Sequence, residues 1–103
     1  MNKYSAQVNA TAATVSVVPV NLISITLLNT TGAIAYLQMF FKSSGVTVGT
    51  TTPDMVIPLP ASGGVSISIP DGWWLGGTGL IIAGTTTRTG NTGAAIDVAL
   101  VMG

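Results

Sequence analysis

Val65-Ser66-Ile67-Ser68-Ile69-Pro70-Asp71-Gly72 carries the plainest structural message in the chain. Val65, Ile67 and Ile69 alternate with Ser66 and Ser68, the two-residue period of a strand with one apolar and one polar face. Pro70-Asp71-Gly72 then reads as a turn. Proline presets its φ, aspartate bonds the local backbone and glycine accepts the unusual angle.

The same grammar extends in both directions. Upstream, Asp54 to Leu59 reads as a short strand that Pro58 and Pro60 confine to an edge or end early. Ala61-Ser62-Gly63-Gly64 is the turn that follows it. Further back, Ser43 to Pro53 is a Thr/Gly/Ser-rich surface connection, long enough to cross between sheets. Ala33 to Lys42 reads as a strand with no plainly polar face, so both of its faces are expected to be covered. It follows Asn21 to Asn29 across the turn Asn29-Thr30-Thr31-Gly32, and the two strands are expected to pair as a hairpin. Within Asn21 to Asn29, alternation puts Ile23, Ile25 and Leu27 on one face and Leu22, Ser24, Thr26 and Leu28 on the other. The first strand of this pattern is Ala13 to Val18, which Pro19 ends or places at an edge.

Downstream, Leu80 to Ala83 is a strand that Thr85 to Arg88 either extends or leaves for a loop. Thr89 to Gly93 is turn-rich. Ala94 to Met102 places Ile96, Val98, Leu100 and Met102 on one face and ties the chain end into a sheet. No segment holds a helical apolar period, Glu is absent and Lys is scarce. The expected fold is therefore all-β: a single antiparallel sandwich over residues 1–103, jelly-roll-like, with seven or eight strands. Residues 1–12 are a candidate extended N-terminal arm.

Composition excludes much chemistry. The 103 residues include three basic side chains (Lys3, Lys42, Arg88), three acidic ones (Asp54, Asp71, Asp97) and no His, Cys or Glu. Zinc and soft-metal sites lack ligands, and histidine acid–base work, cysteine nucleophiles and disulfides are impossible. Three scattered acids do not suggest a hard-cation cage, and no carboxylate pair is forced together. No cofactor, metal or catalytic residue is expected. Three cations cannot neutralise a run of phosphates, so nucleic acid is not an expected partner. Val15 to Leu28, the most apolar stretch, is too short and too interrupted to span a bilayer, and the N-terminus lacks the pattern of a signal peptide. A membrane partner is not expected either. With 48% hydrophobic and 6% charged residues and zero net charge, the chain suits a subunit packed against neighbours better than a free monomer.

Four constellations invite a functional reading. Gly76-Gly77-Thr78-Gly79 superficially matches a phosphate loop, but no Lys lies within it and a strand follows it; a bend or bulge is the simpler reading. Trp73 and Trp74, as neighbours on a strand, must point to opposite faces, one into the core and one outward. The outward ring could anchor a subunit contact or stack on a sugar. Arg88, in the loop or strand before Asp97, is a further candidate contact, and an Arg88–Asp97 pair is open on sequence alone. Tyr36, Phe40 and Phe41 are read as core on both sides of one strand, not as a base-stacking platform.

Several short motifs occur in a telling order: Ala33-Ile34-Ala35-Tyr36-Leu37-Gln38-Met39-Phe40, Val46-Thr47-Val48-Gly49-Thr50-Thr51-Thr52-Pro53, Val56-Ile57-Pro58-Leu59-Pro60-Ala61, Gly76-Gly77-Thr78-Gly79-Leu80-Ile81-Ile82-Ala83, and Asp97-Val98. In this order they resemble small virion proteins of tailed bacteriophages, over about Ala33 to Val101. The resemblance implies a capsid decoration (cement) protein or a related small structural protein on the virion surface, made in the host cytoplasm. It further implies self-association, with a homotrimer favoured, and the major capsid protein or other virion subunits as partners. It carries over no catalytic residue, and Trp73-Trp74 lies outside it. The competing expectation is a carbohydrate- or receptor-binding module of a phage appendage, resting on Trp73, Trp74 and the Thr/Asn-rich loops.

Overall fold

A computed structural model describes residues 2–75 and 77–103. The described residues form no helix. They form eight strands: β1 (Asn2–Val8), β2 (Ala13–Ser16), β3 (Asn21–Asn29), β4 (Ala35–Phe40), β5 (Met55–Leu59), β6 (Gly64–Trp74), β7 (Leu80–Thr85) and β8 (Ile96–Met102). Two four-stranded antiparallel sheets run in the orders β1-β8-β3-β6 and β2-β7-β4-β5. The pairs β1·β8, β2·β7, β3·β6 and β4·β5 nest inside one another, as when one long hairpin is rolled up.

The core lies between the sheets. Leu22, Ile25 and Leu27 of β3 and Ile96, Val98, Leu100 and Met102 of β8 meet Leu37 and Met39 of β4, Ile57 and Leu59 of β5, and Leu80 and Ile82 of β7. The clean alternation along β8 explains its place inside its sheet: one face is apolar, and Asp97 and Ala99 remain exposed on the other. β5 is an edge strand, as Pro58 requires.

Several expectations are corrected. Within the candidate extended arm, residues 2–8 form a strand of the sandwich, β1, paired along its length with β8. β3 and β4 are not a hairpin, because they lie in opposite sheets. The short connection after Asn29 crosses between the sheets, and the long 43–53 connection joins neighbours in one sheet, the reverse of what loop length suggested. The long loop does not need its length to travel. It uses it to fold back over its own sheet, where Val46 and Val48 cover Phe40, Ile81 and Ala83. This is why β4 reads as apolar on both faces.

Two bulges also alter the reading. The register slips at Ile23, so Leu22 points to the core with Ile25 and Leu27. Opposite it, Pro70-Asp71-Gly72 is not a reversal of the chain. Ser68 pairs with Ser24 and Trp73 with Leu22, so residues 69–72 bulge outward and β6 continues along β3. Gly72, at φ 78°, permits the bend.

Candidate functional site

The two Trp residues fall as alternation requires. Trp73 is half-buried against the core, edge-on to Phe41 with ring centroids 6.2 Å apart and planes at 90°. Trp74, beyond the bulge, is 64% exposed and sits in register with Asn21. Arg88 is exposed in the loop after β7. The strand directions put Trp74 and Arg88 at opposite ends of the sandwich, so the structure does not join them into one site. Nor is Asp97 left for Arg88 alone: its Oδ1 accepts a hydrogen bond from Gln7 Nε2 at 3.1 Å. Asp54 serves the backbone, its Oδ2 accepting from the Phe41 N–H at 2.7 Å.

The Gly-rich run is structural where it can be seen; Gly76 lies outside the described residues. Gly77 has φ 94°, and the Phe41 carbonyl oxygen occupies the space a Cβ would need. Thr78 donates its N–H to that same oxygen at 3.2 Å, and its Oγ1 accepts from the Ser43 N–H at 3.1 Å. Among the described residues no three His, Cys, Asp or Glu side chains gather to hold a metal ion. No helix among them is long and apolar enough to cross a membrane.

What stands out is an asymmetry between the sheets. The outer face of β2-β7-β4-β5 is roofed by the chain's own loops. One part is the 43–53 loop; the other is the 86–93 loop, pinned by Gln38. This fully buried amide donates Nε2 to Thr85 Oγ1 at 2.8 Å and to the Gly90 carbonyl at 3.0 Å, while its Oε1 has no partner.

The outer face of β1-β8-β3-β6 has no such roof. Its cross-strand rows are Lys3, Val101, Ser24 and Ser68; then Ser5, Ala99, Thr26 and Ser66; then Gln7, Asp97, Leu28 and Gly64. Seven of the twelve are Ser, Thr, Ala or Gly and two, Lys3 and Asp97, are charged, which leaves a low centre that another molecule's backbone can approach closely. A shallow concavity of about 390 Å³ opens on it, lined in part by Ser5, Gln7, Thr26, Leu28, Asp97 and Ala99. It offers hydroxyl and amide groups and the Asp97 carboxylate for recognition. Reading the chain alone identifies Ser66, Ser68 and Ala99 as outward-facing. It does not reveal that residues from four separate strands assemble into one bare surface, because the register is tertiary.

No family model, curated protein or solved structure matches this chain.

Proposed function

We propose that this chain is a non-catalytic structural subunit of a bacteriophage particle, a decoration protein of jelly-roll type that self-associates and lays its bare sheet face against the capsid lattice. The nested strand pairing supports the jelly-roll reading. The unroofed face of β1-β8-β3-β6 is the observation that carries the docking reading: the chain covers one sheet and leaves the other, rich in small residues, for a partner. Close packing of short side chains and hydroxyl hydrogen bonds would supply the contact, with little help from ion pairs. Co-sedimentation with undecorated capsids tests it. Thr26→Arg, which raises a long charged side chain from the middle of the face, should abolish binding while the isolated protein stays folded. Undiminished binding by Thr26→Arg would refute the docking face.

The second reading, a carbohydrate-binding module, is favoured by Trp74. An exposed indole in register with Asn21, three residues after the exposed Asp71, offers a stacking plane. Glycan binding that Trp74→Ala removes, with capsid binding intact, would support this reading over the first.

A further inference from the structure

We infer that the outer edge of β6 is a self-pairing edge, on which a second copy of this chain adds its own β6 antiparallel. The inference rests on the self-association proposed above, gives it a twofold dimer in place of the trimer that the resemblance implies, and does not depend on the capsid. β6 ends its sheet order, with β3 as its neighbour. An edge strand presents unpaired N–H and C=O groups, and proteins usually blunt it with charge, proline or a bulge. Every edge carries some such device, β6 included, with Pro70, Asp71 and a bulge in its far half. β1 carries Lys3, β5 carries Pro58, and β2 has only 4 residues. Along β6, Val65-Ser66-Ile67-Ser68-Ile69 has neither charge nor proline, a composition prone to strand addition.

The segment is also self-complementary. An antiparallel pair centred on Ile67 sets Ile67 against Ile67 of the second copy, Val65 against Ile69, and Ser66 against Ser68, so apolar meets apolar and hydroxyl meets hydroxyl. Val65, Ile67 and Ile69 are only half-buried, so the second copy would cover apolar surface that the sandwich leaves open. Ile69 opens the 69–72 bulge and Pro70 lacks an N–H, so regular pairing is limited to Ser66–Ser68 about Ile67, with Val65 and Ile69 at its margins. Joining would make one continuous sheet from two four-stranded ones. So short a strand pair is far smaller than the roughly 1,200 Å² of a stable interface, so the dimer should be weak and concentration-dependent.

The chain has no cysteine, which makes the test direct. Paired across the twofold, Ile67→Cys should form a covalent dimer under mild oxidation at least about tenfold faster than Ile34→Cys, an exposed site away from the edge. Sedimentation without capsids should show the wild type gaining mass with concentration. Ile67→Lys and Ile67→Glu should each remain monomeric, and their equimolar mixture should restore the dimer, which also shows that both variants fold. Equal cross-linking rates at positions 67 and 34, or self-association unchanged in Ile67→Lys, would overturn the inference. Failure of capsid binding alone would leave the edge pairing standing and count only against the docking face.

Discussion

Asn29 and Pro60, 31 residues apart, are joined by a hydrogen bond from the Asn29 Nδ2 to the Pro60 carbonyl at 2.9 Å. The same amide donates to the Ala33 carbonyl at 2.7 Å, and its Oδ1 accepts from the Thr31 N–H and hydroxyl at 3.0 and 2.7 Å. One buried side chain thus holds the corner where the chain leaves β3 for the opposite sheet, and ties it to the β5–β6 turn. Asn29→Ala should cost about 2–4 kcal/mol, because it strands several groups at once. Urea unfolding should show a lower midpoint at an unchanged slope.

The Trp pair should separate cleanly. Trp73→Ala removes a half-buried ring and its edge-on contact with Phe41, and should destabilise by about 2–4 kcal/mol. Trp74→Ala should change stability by no more than about 0.5 kcal/mol, since the ring is mostly exposed. Equal losses in denaturant titration would contradict the assigned orientations.

At Gly77, both the positive φ and the Phe41 carbonyl forbid a side chain. Gly77→Ala is expected to lose about 2–4 kcal/mol, from backbone strain plus overpacking. Thermal unfolding of this variant beside Gly32→Ala, where nothing lies within 4 Å of the added carbon, isolates the effect.

Gln38 should control the 86–93 loop more than the fold. Gln38→Met removes the donors to Thr85 and Gly90 together with the unpaired Oε1, and leaves an apolar chain of similar length. Trypsin cleavage after Arg88 should accelerate about tenfold, the equivalent of roughly 1.4 kcal/mol of local closure, while global stability shifts less. Cleavage at the wild-type rate would show that the loop is held by other contacts.

With six charged residues in the whole chain, ionic strength has little to act on. Stability and capsid binding should change little between low and moderate salt. Release from capsids at moderate salt would argue against docking through this small-residue face.

Local pattern alone determined that the chain is all-β, where most strands lie, that β5 is an edge strand or a strand cut short, and which face of β8 is buried. Those features follow from side-chain alternation and from proline's missing N–H, and both act within a few residues. It also determined that one Trp must point in and one out. Tertiary structure decided the rest. Which strands are neighbours depends on contacts between distant segments, so the short turn after Asn29 became a crossing and the long 43–53 loop became a roof. The slip at Ile23 and the bulge at 69–72 arise only when β3 and β6 are laid side by side, and they turn Leu22 inward and carry Trp74 to the sandwich end. The bare face was illegible for the same reason: Ser5, Thr26, Ser66 and Ala99 are ordinary polar or small residues until the register sets them in one row.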